Sequence, residues 1–169
     1  MSIWASRRPR GKLLRLRREQ WSSLIKELGW RGEGRQESGA FLLAPRSEKS
    51  RVTRIEYFDD LDPRCLTGNI HFHGLAFSKL WDICESEGLV VVADVHTHPG
   101  ASVHQSALDV ENPMVARAGH IALIVPHLAT RSVRPRQVGV HQYLGDDGWK
   151  SWFGREAAAR IGVRRWLWS

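Results

Sequence analysis

The sequence predicts an α/β fold in which a central sheet is flanked by helices. Three runs of apolar, mainly β-branched residues are typical of strands buried on both faces: Leu89–Val95, His120–Val125 and Val138–Leu144. Two other segments, Glu19–Trp30 and Leu75–Glu87, place apolar residues at the three- and four-residue spacing of amphipathic helices. We therefore expect a single domain with its strands inside and its helices outside.

The composition agrees with a folded domain. The 169 residues, 42% hydrophobic and 25% charged, are close to the average of globular proteins, which excludes wholesale disorder. The longest apolar runs are far shorter than the roughly 18 residues of a membrane span. Arg7 and Arg8 are not followed by the apolar stretch of an export signal. Because the two cysteines form no C-x-x-C pair and suggest no disulfide framework, we expect a reducing, cytoplasmic location.

Residues 1–18 are expected to form a basic arm outside the domain. The net charge of the chain is +7, and seven of its 25 lysines and arginines lie in this arm. The arm is interpreted either as a solvated chain end or as an electrostatic surface for an acidic protein or nucleic acid. Charge alone does not choose between the two.

The domain itself is expected over residues 19–153. After the first helix, Ala40–Ala44 reads as a buried strand and Val52–Phe58 as its antiparallel neighbour. The acidic segment Asp59–Pro63 is expected to be a loop. Near the end, Val138–Leu144 and Trp149–Phe153 flank a glycine-containing turn typical of a hairpin. Residues 154–169 are expected to form a helical extension.

The side chains that carry the chemistry lie in one segment, residues 93–109. His96 and His98 follow a buried strand at its carboxyl end, the edge where open α/β sheets build their sites. Residues two apart in an extended chain face the same side, so the two imidazoles can converge on one metal ion. Ser106 and Asp109 have helical i, i+3 spacing, which places a hydroxyl and a carboxylate on one face.

These residue types favour zinc. Two imidazole nitrogens and one carboxylate suit Zn²⁺, and three protein ligands leave the fourth tetrahedral position open. Structural zinc sites are usually closed by four ligands rich in cysteine, and neither cysteine lies near this segment. The alternative is that the histidines are structural and that Ser106 only caps a short helix. The sequence therefore predicts a catalytic zinc site.

The motif resembles the signature of the JAMM (MPN-domain) metalloproteases. It consists of His96-Thr97-His98-Pro99, seven intervening residues, and Ser106-x-x-Asp109. Upstream, Glu37 before the small residues and apolar run of 38–43 resembles the glutamate element of that family, although Ala40 stands where a second glycine is common. Further similar pieces are 112–114, 119–126 and 139–145, so that the resemblance covers about residues 19–153 and leaves both basic ends outside it.

The resemblance implies a single JAMM/MPN-like (cytidine-deaminase-like) domain with a mixed central sheet. It also implies that His96, His98 and Asp109 bind Zn²⁺, that Glu37 is the general base, and that Ser106 orients the bound water or the oxyanion. The implied activity is that of a deubiquitinase-like isopeptidase. It would cleave after the C-terminus of a ubiquitin-like protein, releasing it from conjugates or precursors.

Other expectations concern the setting of this activity. The resemblance points to prokaryotic members that work beside E1-like and E2-like enzymes, some of them in antiphage operons. The arginine surplus is expected to steer an acidic protein partner to the site, rather than nucleic acid or a membrane. The alternatives are a sulfur-carrier-processing JAMM peptidase and a basic nucleic-acid-associated protein with an incidental metal site.

Several residues compete for roles in the site. Glu33 is a rival base, although Gly34 and Arg35 suggest that it lies in a loop. His104 lies between the ligands and is more typical of a solvated loop, and Asp94 is a candidate partner for a ligand imidazole. A second zinc site is disfavoured because its members match no standard zinc module: Cys65, His71, His73 and Cys84.

Overall fold

A computed structural model describes residues 11–67, 69, 70, 72 and 74–164. Its helices are α1 (Arg18–Arg31), α2 (Phe58–Leu61), α3 (Gly74–Ser86), α4 (Ala107–Glu111) and α5 (Gly154–Arg160). Its strands are β1 (Leu14–Arg17), β2 (Gly39–Pro45), β3 (Arg54–Tyr57), β4 (Leu66–Thr67), β5 (Asn69–Ile70), β6 (Leu89–Thr97), β7 (Ile121–Val125), β8 (Gly139–Tyr143), β9 (Trp149–Trp152) and β10 (Ile161–Arg164).

Six strands form the central sheet in the order β3-β2-β6-β7-β8-β9. The pair β6–β7 is parallel and the other neighbours are antiparallel, so the sheet is mixed. The strand β6 is the longest, with nine residues, and eight of them are buried. This confirms the α/β fold with a mixed central sheet, and it confirms that the β-branched run of β6 is buried on both faces.

Helices cover both faces of the sheet. On one face, α1 packs its buried Trp21, Leu24 and Leu28 against the sheet, together with α5. On the other face, α2 and α3 enclose an aromatic cluster around Phe41 and Phe58. The side chains of β2 contribute alternately to these two layers, because successive side chains of a strand point to opposite faces of the sheet.

A β-bulge in β6 decides which face carries the predicted ligands. Leu42 pairs with Ala93, but the next residue of β2 pairs with Val91, so Val92 is the extra residue. Before the bulge, Val91 packs in the aromatic layer beside α3, whereas Ala93 packs on the α1 side. One inserted residue reverses which side chains of a strand point to which face of the sheet. After the bulge, the even-numbered residues of β6 therefore face the α3 side.

The described residues near both ends, 11–18 and 154–164, differ from the expectation of a solvated arm and a helical extension. Leu14 and Leu16 of β1 are each 1% exposed, and β1 pairs in parallel with β10 beside the core of the α1 face. The extension is a short helix, α5, followed by the strand β10. The leucines of β1 alternate with exposed arginines, so a basic segment also supplies core residues. Residues 1–10 and 165–169 lie outside the described part of the chain.

The segment Asp59–Pro63 is only in part a loop. Phe58–Leu61 forms a single helical turn, because Phe58 and Leu61 are buried against the aromatic layer and the two aspartates between them remain on the outside. The described residues contain no helix that is both long enough and apolar enough to cross a membrane.

Candidate metal centre

The structure brings the three predicted ligands together. Nε2 of His96 lies 3.1 Å from Nε2 of His98 at the carboxyl end of β6. The carboxylate of Asp109 approaches from α4, with Oδ1 3.4 Å from Nε2 of His96 and Oδ2 3.4 Å from Nε2 of His98. The two Nε2 atoms and the carboxylate group, each of whose oxygens faces one imidazole, therefore form a donor triangle at the end of the central strand.

This triangle fits a zinc ion. With zinc–ligand bonds of about 2.0–2.1 Å and tetrahedral angles, two ligand atoms lie about 3.3 Å apart. The separations of 3.1 and 3.4 Å among His96, His98 and Asp109 match that value. No cysteine belongs to this group of donors, whose composition is that of a site with an open fourth position.

Ser106 holds the carboxylate of Asp109 in place. It is the N-cap of α4, and both its backbone N–H and its hydroxyl donate to Oδ2 of Asp109 at 2.7 Å. In return, the backbone N–H of Asp109 donates to Oγ of Ser106 at 3.2 Å. The reading of Ser106 as a helix cap is therefore correct, but the cap also orients a candidate metal ligand.

Glu37 lies opposite His98. Gly39 pairs with His96 in the antiparallel ladder, and the backbone N–H of Thr97 donates to the carbonyl of Ser38 at 3.0 Å. The same register places residue 37 opposite residue 98, and Glu37 lines the cleft with both histidines. A Cβ on Gly39 would lie 2.7 Å from the carbonyl oxygen of Val95, so only glycine lets the two strands approach here.

The charges of the site shift one another's pKa. Burial is the largest influence on Glu37 and raises its pKa, an effect that the nearby Asp109 increases and that His96 and His98 oppose. Burial alone would lower the pKa of His96, but Asp109 and Asp94 outweigh it and raise the value to about 10. Although burial acts the other way, the two histidines hold the pKa of Asp109 well below its usual range. A raised pKa suits Glu37 to proton transfer near neutral pH.

Behind His96 lies a buried carboxylate. Asp94 is 2% exposed, and its Oδ2 lies 3.6 Å from Nδ1 of His96. Its Oδ1 lies 2.7 Å from Nε2 of His120, a residue that is 1% exposed. Burial raises the pKa of Asp94, but His120 and His96 outweigh that effect and leave the pKa lowered. Sequence analysis identifies Asp94 as a candidate partner of a ligand imidazole but does not identify His120. The parallel β6–β7 register joins Asp94 to His120, and no pattern of neighbouring residues predicts that register.

The loop between the ligands is tied to the sheet by His141. Its Nε2 lies 2.9 Å from the carbonyl oxygen of Val103, and its Nδ1 lies 2.7 Å from Oγ of Ser151. Burial lowers the pKa of His141. The approach requires Gly139, because a Cβ there would overlap the Val103 carbonyl. Sequence analysis gave these residues no role.

The centre opens into a cleft of about 820 Å³. One side is polar and contains the ligands, Glu37 and Ser106. The other side is mostly apolar and is formed by Ile70, Phe72, Phe77, Leu108, Met114 and Trp149. The indole N–H of Trp149 donates to the carbonyl of Val110 at 3.2 Å, which ties α4 to β9. We expected Trp149 to be a packing residue, and it also lines the cleft.

The competing residues lie elsewhere. Glu33 is exposed in a turn with φ of 50° and pairs with Arg35. The ring of His104 lies on that of Phe153 at a centroid distance of 4.3 Å. Among the described residues, the donor cluster contains neither Glu33 nor His104. Cys65 and Cys84 are buried in the aromatic layer, and His71 and His73 lie outside the described part of the chain.

Comparison with known proteins shows the fold. No protein-family model matches the sequence. A protein from Desulfitobacterium hafniense, solved in solution, is 19% identical with a TM-score of 0.61, over 91% of this chain and 94% of its own. A solution structure from Salinibacter ruber is 15% identical with a TM-score of 0.56, over 89% and 90%. The crystal structure of a JAB1/MPN domain protein from Archaeoglobus fulgidus is 15% identical over 85% and 90%, with a TM-score of 0.43.

Proposed function

We propose that this protein is a zinc-dependent isopeptidase or peptidase of the prokaryotic JAMM type. It would cleave after the C-terminus of a ubiquitin-like protein and so release that protein from conjugates or precursors. The observation that carries the proposal is the triangle of His96, His98 and Asp109, with donor separations of 3.1–3.4 Å and Glu37 in the facing register position. The motif resemblance supplies the reaction class.

The side chains of the site divide the chemical work. A zinc ion bound there would supply a Lewis acid and lower the pKa of a water ligand. Glu37 takes the proton of the attacking water and returns it to the leaving amine, a cycle that its raised pKa favours. Ser106 keeps Asp109 oriented through its backbone N–H and its hydroxyl, and because it lines the cleft, the hydroxyl would reach a developing oxyanion by turning away from Asp109.

The shape of the cleft supports a flexible polypeptide tail as the substrate. The acidic and imidazole groups lie at the end of β6, and the apolar wall with Phe72, Phe77 and Met114 offers contacts to an extended chain. A flexible tail with small residues beside the scissile bond suits such a cleft better than a folded loop does. The C-terminal tail of a ubiquitin-like protein has both properties.

The setting remains part of the proposal. We infer a cytoplasmic enzyme whose partners are the ubiquitin-like protein and E1-like or E2-like enzymes of the same operon, in an antiphage conjugation system. A sulfur-carrier-processing peptidase is the nearest alternative, since it would use the same zinc chemistry on a different tail.

The decisive experiment separates metal binding from proton transfer. Glu37→Gln should keep the fold and the bound zinc yet lose several orders of magnitude in kcat, because only the proton acceptor is removed. Glu33→Gln is the matched control and should keep wild-type kcat. Both are assayed on a fusion of a ubiquitin-like protein, with zinc content measured in parallel. A Glu37→Gln enzyme within tenfold of wild type would rule out Glu37 as the base.

A second experiment tests the substrate. Cleavage should occur immediately after the small C-terminal residue of the ubiquitin-like protein and should stop when a zinc chelator is added. Replacing that residue of the substrate by leucine or arginine should lower kcat/KM at least about tenfold, since a misfit of methylene size is worth 1–3 kcal/mol. Equal cleavage of casein would indicate a general metalloprotease instead.

One observation favours a second candidate, a nucleic-acid-associated protein. The exposed positions of β1 are Arg15 and Arg17, and Arg17 pairs in register with the exposed Arg164. Replacing Arg17 and Arg164 by glutamine separates the candidates. A peptidase keeps its cleavage rate, whereas a nucleic-acid binder loses affinity and part of its salt dependence.

A further inference from the structure

A buried chain of three side chains runs from the core to the metal centre. It starts at His120, immediately before β7, passes through Asp94 in the middle of β6, and ends at the ligand His96. All three residues are at most 7% exposed. Because β6 and β7 are parallel neighbours and the bulge at Val92 precedes Asp94, the three side chains face the same side of the sheet.

The hydrogen-bonding capacity of the chain fixes where its hydrogens lie. A carboxylate can only accept, so Nε2 of His120 donates to Oδ1 of Asp94 at 2.7 Å. Within the described residues, Nδ1 of His120 is buried and has no hydrogen-bond partner. An N–H group buried without an acceptor costs more free energy than a ring nitrogen buried without a donor. His120 therefore carries its hydrogen on Nε2 alone.

The second oxygen of Asp94 faces His96. Nδ1 of His96 lies 3.6 Å from Oδ2 of Asp94, which is too long for a hydrogen bond, but the negative charge of the carboxylate at this distance favours a hydrogen on Nδ1. When a metal ion displaces the proton on Nε2, that choice leaves the lone pair of His96 on Nε2, the atom that lies 3.1 Å from Nε2 of His98. The same nitrogen belongs to the donor triangle, so the buried carboxylate and the metal site select one tautomer.

We propose that Asp94, braced by His120, is a positioning residue that sets the tautomer and ring orientation of His96 and so determines the affinity of the site for zinc. Asp94 is not a member of the donor group of His96, His98 and Asp109, and it acts through His96. Carboxylates that support ligand histidines typically contribute 10–100-fold to metal affinity. The inference rests on the proposed zinc site but not on the proposed substrate.

The test measures metal affinity and coordination rather than activity. Asp94→Asn should weaken zinc binding by 10–100-fold in a competition with a chromophoric chelator. The visible absorption bands of the cobalt-substituted protein should also change, because the ring of His96 is no longer held. Unfolding of the metal-free protein is followed in parallel, so that a loss of stability is distinguished from a loss of coordination.

Two variants of His120 keep the test decisive even if Asp94→Asn folds poorly. His120→Gln retains an N–H donor for Asp94 and should stay within about threefold of the wild-type zinc affinity, whereas His120→Phe removes the donor and should lose about tenfold or more. The matched control is His127→Asn. It removes a histidine at the same end of the sheet, at a position with φ of 56° that asparagine tolerates, and it should leave the affinity unchanged.

The outcomes separate the two proposals. Wild-type zinc affinity and cobalt bands in Asp94→Asn, or equal affinities in the two His120 variants, would overturn the positioning role and leave the proposed function intact. Weakened binding together with no cleavage of any ubiquitin-like fusion by the wild type would support the positioning role and refute the substrate. A wild type that binds no zinc would refute both.

Discussion

Leu16→Ala tests whether the basic start of the chain belongs to the folded core. Leu16 is 1% exposed in β1, and its neighbours in the core include residues of α1 and β10. Truncation removes three carbon atoms, each worth about 0.8 kcal/mol of burial, or about 2.4 kcal/mol together. The cavity left behind adds to this value, and buried leucine-to-alanine changes cost about 2–5 kcal/mol. We therefore expect the free energy of unfolding to fall by about 3 kcal/mol.

The assay is equilibrium unfolding in urea, followed both by circular dichroism and by tryptophan fluorescence. Coincident transitions establish that unfolding is two-state, which the comparison of free energies requires. Leu75→Ala serves as the control, because Leu75 is 83% exposed and its loss should change stability by at most about 0.5 kcal/mol. If Leu16→Ala is no more harmful than Leu75→Ala, β1 is not part of the core and the domain begins at residue 19.

Four further predictions concern the site and the core. Asp109→Ala should abolish zinc retention, measured as metal per chain after desalting, where the wild type keeps close to one. Ser106→Ala should cost about 1 kcal/mol as a lost cap and weaken zinc binding. An unchanged affinity with a lower kcat would instead show that its hydroxyl acts only on the substrate. Gly139→Ala should lose about 1–3 kcal/mol by steric overlap, whereas Gly74→Ala, with open space around it, should not. The thiol of Cys65, whose pKa burial raises to about 12, should stay protonated and unlabelled by a disulfide reagent in the native protein at pH 8, and rapid native labelling would contradict its burial.

The parts of the fold that sequence analysis predicted are those with local signals. The apolar stripe of Trp21, Leu24 and Leu28 predicts α1, and the β-branched run of 89–95 predicts β6. Each of these patterns is complete within a short stretch of sequence. The expectation of a solvated basic arm is wrong at β1 for the opposite reason. Leu14 and Leu16 alternate with arginines at strand period, but the charge of the segment suggested a solvated end.

The site was predicted as a set of residues but not as a geometry. The motif names His96, His98 and Asp109, and alternation suggested Asp94 as a partner. The face on which they lie depends on the bulge at Val92, and a bulge depends on pairing with a distant strand rather than on local sequence. The pairing of His120 with Asp94 spans 26 residues and requires the parallel register of two strands, which no pattern within either strand encodes.

The position of β1 sets a minimum length for any segment of a partner that would extend from the arginines of β1 towards the cleft. Residues 19–169 contain equal numbers of acidic and basic side chains, so the net charge of +7 equals the charge of the first 18 residues. The arginines of β1 adjoin the start of α1, while the end of α1 is tied beside Glu37 by the hydroxyl of Ser38, which donates to the carbonyl of Leu28 at 2.7 Å. The 14 residues of α1 span about 21 Å. Arg15 and Arg17 are therefore not among the residues that line the cleft, and the steering of an acidic partner by the arginine surplus stays a prediction. A partner that binds at β1 and also contacts the far end of α1, beside Glu37, needs an extended segment of about six residues to span the helix, at about 3.4 Å per residue.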